Sequence, residues 1–389
     1  MLIPKQFFAH RLASWSSLLA LCCLASTPGC GGDGAKAKES RDAGPPPTMH
    51  DDAAVDPMDA SKKPDAKVID SGVDAAADAD VRVVDGSMPD AGNPDAAVDA
   101  GHVTPIDCSA VPDKPLDAEE LEGPRGYHGL AFVPSGSHLI GSDGDALIRA
   151  ASTGPGQVYL PGVGMVQGMD MFANGDLLVA ADGESGGELL RITPAGGITR
   201  LTQGLGQAYG VRVGPDGMAY VANNEKLFRV DPETRKRTVH VKDPGQAPDA
   251  GGPYSWSPRV MDYSPDHRTL YIGSLSGGTI YAVDMDADFN PVGDARVFAE
   301  GLGNSFQDGL SVDACGNLYV ADYSTSALFR VTPEGKVKVY KQWTSESYGH
   351  GIVFGSGQAG WDANALYLPQ PYDNNTVVKL VIGVPARPR

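Results

Sequence analysis

The chain has 389 residues, with 49 acidic side chains against 31 basic ones, for a formal net charge of −18. A nucleic-acid binder needs a dense basic surface to displace counterions, so this balance argues against that class. Glycine (49) and proline (30) together make up about a fifth of the chain, which points to many turns and short strands rather than helices.

The chain opens with Lys5, His10 and Arg11, followed by an apolar run from Leu12 to Ala25. That run is shorter than the roughly twenty residues a helix needs to cross a bilayer core. A charged start, a short apolar middle and small residues before a cut describe a secretory signal peptide over residues 1–29. The stretch Ser26-Thr27-Pro28-Gly29-Cys30-Gly31 resembles a bacterial lipoprotein cleavage box, with Thr27 where leucine is usual. The resemblance implies lipidation of Cys30 and a membrane partner reached through that anchor. It implies an outer-membrane or cell-surface location, with a periplasmic or secreted protein as the alternative.

Residues 30–104 repeat Asp, Ala, Pro and Gly, as in Asp51-Asp52-Ala53-Ala54-Val55-Asp56-Pro57, and contain no aromatic residue. Such a segment cannot bury enough apolar surface to offset an ordering cost of about 1–2 kcal/mol per residue. A disordered acidic tether is therefore predicted. It carries about half of the net negative charge, so the rest of the chain is only mildly acidic.

The remainder contains an internal repeat. Five strands begin with a polar residue and a glycine: His128-Gly129, Gln167-Gly168, Tyr209-Gly210, Asp308-Gly309 and His350-Gly351. A sixth, degenerate copy begins Arg259-Val260, and the second positions are spaced by 39, 42, 50, 49 and 42 residues. Each copy continues through a turn into further short strands, for example Asn174-Gly175 and then Leu177-Leu178-Val179-Ala180. Four short strands at this period describe one propeller blade. The fold expected is all-β: a monomeric six-bladed β-propeller over residues 105–389. The last copy lacks a clear fourth strand, and Leu116–Leu121 lies where one is needed. That N-terminal strand is expected to complete blade six and close the ring without an exposed edge.

Cys22 and Cys23 leave with the signal peptide, and Cys108 and Cys315 remain. An even pair in an oxidising compartment reads as a disulfide, with two buried thiols as the alternative.

In a propeller the first strand of each blade lines the central channel. The residue before each repeated glycine therefore occupies an equivalent place on every blade: His128, Gln167, Tyr209, Arg259, Asp308 and His350. Ring closure makes Asp308, His350 and His128 one contiguous arc. Two imidazoles and a carboxylate suit a divalent metal ion, zinc or calcium, that polarises a carbonyl or activates a water. The same three residues are the catalytic candidates. Arg259, Tyr209 and Gln167 across the channel would hold an anionic or hydroxylated small molecule or a glycan. The alternative is a polar channel lining that bonds to itself and to water. Three motif matches lack the required context. Gly183-Glu184-Ser185-Gly186-Gly187 and Gly355-Ser356-Gly357-Gln358-Ala359-Gly360 precede no helix. Asp284 to Asn290 resembles the start of a calcium loop but has Phe289 where a glycine is needed.

The stretches Asp308-Gly309-Leu310-Ser311-Val312-Asp313-Ala314-Cys315-Gly316-Asn317-Leu318-Tyr319-Val320-Ala321 and Tyr263-Ser264-Pro265-Asp266-His267-Arg268-Thr269-Leu270-Tyr271 resemble the senescence-marker-protein/gluconolactonase family. The resemblance covers roughly residues 115–389. It implies a six-bladed propeller whose channel metal serves hydrolysis of sugar lactones or related esters, with Asp308 at the position of a metal-binding aspartate. His128 stands where the family has a glutamate, and Arg259 where it has an asparagine. The paired His-Gly strands also resemble lyase propellers of the virginiamycin B lyase type, in which channel histidines hold metal or act as a base. Three readings stay open: a metal-dependent hydrolase, a metal-dependent lyase using His128 and His350, and a non-catalytic binding module.

Overall fold

The computed structural model describes residues 106–183, 186–243, 256–303, 306–343, 350–370 and 375–389. The chain divides into two units, residues 1–92 and 93–389, and every described residue belongs to the second. The expected signal peptide, Cys30 and the tether lie outside the described residues.

Twenty-four strands and one 3-10 turn, Cys108–Ala110, make up the regular structure of the described residues, with no α-helix among them. The strands form six four-stranded antiparallel sheets, the six blades of a β-propeller. The inner strands, in ring order, are Ala131–Phe132, Met165–Met171, Val211–Val213, Pro258–Tyr263, Gln307–Val312 and Val353–Phe354. In five blades the four strands follow one another along the chain. In the sixth, the outer strand is Asp117–Leu121, which pairs with Thr376–Val381 from the other end of the propeller sequence.

Burial follows from the stacking of each sheet between two others. Strands near the hub, such as Leu318–Asp322 and Ala365–Gln370, are buried along their whole length and read as continuous apolar runs. Outer strands such as Val337–Gln342 face solvent on one side and mix charge with apolar residues. The apolar side chains sort into six clusters, one for each interface between neighbouring blades. The seam between blades six and one is packed like the rest, with Leu130 and Leu139 against Val353, Tyr367 and Val377.

The repeated glycine has a packing cause. A methyl group at Gly168 would lie 2.3 Å from the Tyr209 carbonyl oxygen, and one at Gly351 would lie 2.2 Å from that of His128. Inner strands of adjacent blades thus converge at the hub until only glycine fits, which explains why the polar-Gly pair recurs round the ring.

Two further elements finish the wheel. Cys108 and Cys315 form a disulfide with a Cα–Cα distance of 5.4 Å, joining positions 207 residues apart. Arg330 of blade five holds the same N-terminal strap, donating to the Pro112 carbonyl and pairing with Asp113 at 3.2 Å. At the other end of the chain, residues 385–389 cross the channel mouth formed by the C-terminal ends of the inner strands. There Arg387 donates to Asp262 at 2.7 Å, Arg389 donates to Asp170 at 3.1 Å, and Ala386 bridges to Asp313. Ala386, Arg387 and Arg389 line a cavity of about 780 Å³ on that face. The calcium-loop look-alike is a turn between two strands: Asp286 Oδ1 accepts from the backbone N–H groups of Asp288 and Asn290 at 2.9 and 2.8 Å.

Candidate functional site

The site lies at the opposite mouth, where the inner strands begin. Three of its six ring positions sit in β-bulges. The register skips Gln167 in blade two, Arg259 in blade four and Asp308 in blade five. A bulge bends its strand and re-aims the extra side chain. His128, Tyr209 and His350 precede the inner strands Ala131–Phe132, Val211–Val213 and Val353–Phe354, and the Tyr209 and His350 N–H groups still donate to Ala222 and Pro369 of the next strand, at 2.8 and 3.3 Å.

Five of the six residues form one network. Asp308 Oδ2 lies 2.9 Å from His350 Nδ1, and Asp308 Oδ1 accepts from Arg259 Nε. The Arg259 guanidinium lies over the Tyr209 ring, 3.5 Å from its centroid. The Tyr209 hydroxyl lies 2.8 Å from His128 Nδ1 and 3.4 Å from His350 Nδ1. The two imidazole rings are 4.3 Å apart between centroids. Asp308 and His350 are only 4% and 3% exposed, so their pairing operates away from bulk water. Gln167 stays outside the network and donates to Asp182 at 2.9 Å. With His128, Tyr209 and Asp308, it lines an internal channel space of about 40 Å³, room for little more than one water.

The electrostatics follow from this packing. Burial pushes the Asp308 carboxyl up, but the Arg259 charge and the His350 hydrogen bond outweigh it and hold the group below the ordinary carboxylate range. Burial, together with the charges of His350 and Arg259, holds His128 well below the ordinary imidazole range. Burial and the Asp308 carboxylate hold the Tyr209 phenol well above its usual range. At neutral pH Arg259 and Asp308 are therefore an ion pair in contact, with the neutral Tyr209 phenol and the neutral His128 imidazole beside them.

The carboxylate contact also fixes one proton position. A carboxylate only accepts, so His350 carries a proton on Nδ1, the atom that faces Asp308. The Tyr209 hydroxyl and His128 Nδ1 share a hydrogen bond of 2.8 Å whose direction follows the His128 tautomer.

This arrangement corrects two expectations. Arg259 does not stand across the channel from the arc but binds Asp308 directly. The metal set predicted from the ring order, Asp308, His350 and His128, comes together without forming a cation site. Asp308 faces a guanidinium and an imidazole N–H, and His128 Nδ1 is engaged with the Tyr209 hydroxyl. Among the described residues, no group of three or more His, Cys, Asp or Glu side chains is arranged to hold a metal ion. A dication about 4 Å from a guanidinium would meet a repulsion of about 8 kcal/mol at an effective dielectric of about 20. The residues present do not fit a zinc or calcium ion.

Three neighbours of the hub carry no repeat signal. Asn224 Oδ1 lies 3.5 Å from Arg259 Nη1, the Phe306 ring flanks Arg259 at 5.7 Å, and the Tyr323 ring lies 5.0 Å from that of His350. Asn224 and Phe306 both adopt positive φ, 66° and 63°. Backbone of this kind is set by loop geometry that strand periodicity does not encode.

Comparison with known proteins agrees with the wheel. The family model described as the SMP-30/Gluconolactonase/LRE-like region matches residues 257–355. No curated protein matches the chain by sequence. A gluconolactonase from Xanthomonas campestris superposes with a TM-score of 0.54 at 17% identity, over 70% of this chain and 92% of the other. A calcium-binding regucalcin from Agrobacterium tumefaciens gives 0.55 at 17% identity, over 71% and 96%. An auxiliary nutrient binding protein from Bacteroides thetaiotaomicron gives 0.51 at 14% identity, over 66% and 69%. At these identities the likeness is one of fold. The chain thus carries an SMP-30/gluconolactonase/LRE-like region, over residues 257–355, within a gluconolactonase-like six-bladed propeller.

Proposed function

We propose that this protein is an envelope lipoprotein, anchored through Cys30 and spaced from the membrane by residues 30–104. In this reading its propeller hydrolyses lactones or related esters of neutral, hydroxylated small molecules. The observation that carries the hydrolase reading is the 2.9 Å contact between Asp308 and His350, placed beside a second imidazole whose ring centroid is 4.3 Å away. The balanced charge of the Arg259–Asp308 pair favours a neutral ligand over an ionic one. The gluconolactonase-like fold and the family region support the substrate class.

The chemistry assigned to these residues is general acid–base catalysis. His350 Nε2 takes a proton from water as the water oxygen attacks the ester carbonyl carbon. His128 Nε2–H donates to the developing oxyanion. The tetrahedral intermediate then collapses, the carbon–oxygen bond to the leaving alcohol breaks, and His350 returns the proton to that oxygen. Asp308 keeps the imidazole oriented and stabilises its charged form, while Arg259 keeps Asp308 ionised. No step runs through a metal ion.

One observation favours a second reading, a binding propeller without turnover: the internal space at the hub is only about 40 Å³. A pH-stat assay over a panel of sugar lactones and simple esters separates the two. Hydrolysis by the wild type, reduced about 10²–10⁴-fold in a folded His350→Gln variant, is the expected result. No turnover above the spontaneous rate, with ligands still raising the melting temperature, would replace hydrolysis by binding. An unsaturated product formed without incorporation of solvent oxygen would instead indicate a lyase.

A further inference from the structure

We propose that Arg259 is a built-in cation that occupies the place of a divalent metal at the hub, so that this propeller works without one and becomes a metal binder only when that arginine is removed. The inference rests on the geometry of the hub and not on the hydrolase reading.

Three observations carry it. First, the guanidinium lies against Asp308, the one carboxylate among the six ring positions, and it does so from the adjacent blade through a bulge that turns Arg259 inward. Second, the cation is held on every side: by the Tyr209 ring face at 3.5 Å, by Phe306 at 5.7 Å and by Asn224 Oδ1 at 3.5 Å from Nη1. An aromatic face and a carboxylate are the two partners that suit a weakly hydrated, planar cation. Third, the pair is buried, with Arg259 8% and Asp308 4% exposed. A buried carboxylate requires a permanent counter-charge, and the arginine supplies it whatever the metal content of the medium.

The same geometry leaves a cation site latent. Removing the guanidinium would leave Asp308 with open lone pairs next to the His350 imidazole of the adjacent blade, with His128 one blade further on. An Arg259→Asn substitution removes the repelling charge and adds an amide oxygen at the vacated place. Carboxylate, amide and imidazole donors together suit a borderline dication such as manganese or zinc better than a hard, all-oxygen ion.

The test is a metal titration read by melting temperature, with calcium, manganese and zinc each added to the chelator-treated protein. The wild type and Arg259→Lys, which keeps a cation, are expected to show no metal-dependent shift. Arg259→Asn is expected to melt lower without metal and to gain several degrees with at least one of the three ions, reversibly on chelation. The gain should vanish in Arg259→Asn/Asp308→Asn. If Arg259→Asn does not fold alone, it is refolded with each ion. Recovery of the wild-type circular dichroism spectrum supports the proposal, and failure with all three overturns it. The proposal also fails if chelator-reversible metal stabilisation is present in the wild type, if a folded Arg259→Asn does not respond, or if the response survives loss of the Asp308 carboxylate.

Discussion

His240 packs edge-on against Tyr220, with ring centroids 4.9 Å apart, and its Nε2 has no hydrogen-bond partner among the described residues. Burial and the nearby Arg229 charge lower its pKa to about 4. The unfolded chain takes up this proton near pH 6.5, whereas the folded protein refuses it until about pH 4. The stabilisation is therefore complete above about pH 6.5 and is lost as pH falls through that window. His128, also held low, acts in the same direction. Asp308, held below its ordinary range, extends the loss below about pH 4, as its carboxylate takes up a proton. The melting temperature should fall between pH 7 and pH 4, by an amount that for His240 corresponds to on the order of 3 kcal/mol. A His240→Phe variant should show a flatter profile, and an equally steep one would exclude His240 as the cause. The identity of the ring residues was legible because a fixed period assigns each of them one place per blade. The Arg259–Asp308 contact was not, because a long side chain reaching to the next blade obeys no period.

At the level of strands and loops, the strap ahead of blade one gains its hold from side chains rather than from a long ladder. It has five paired residues, Asp117–Leu121, and behind them the Cys108–Cys315 bond and Arg330. Closing a loop of this length should contribute about 2–5 kcal/mol. Replacing both cysteines by serine is expected to lower the calorimetric melting temperature by several degrees in the oxidised protein. An unchanged value would mean that the pairing of Asp117–Leu121 suffices alone. The pair itself was readable from cysteine count and compartment. The path of residues 385–389 across the far mouth was not, because they belong to no repeat and are held by contacts to scattered residues such as Asp262, Asp170 and Asp313.

For the molecule as a whole, six equivalent interfaces replace one central core, and the repeat spacing foretold that number because each blade must bury both faces against neighbours. Anchoring belongs to this scale too. If Cys30 is acylated, the mature protein should fractionate with membranes, and Cys30→Ala should move it to the soluble fraction with its folding intact. Equal partitioning of the two would remove the lipid anchor from the proposal.

The disulfide has a mechanical consequence. Any tension transmitted along the chain from ahead of Ile106 meets the covalent Cys108–Cys315 link before it meets the strand Asp117–Leu121. The force is then borne by blade five as shear on a bonded crosslink, and the rim strand that seals the wheel is shielded from being unzipped one hydrogen bond at a time. Reduction would reroute the same load onto that strand, making the ring weakest at the seam where its two chain ends meet.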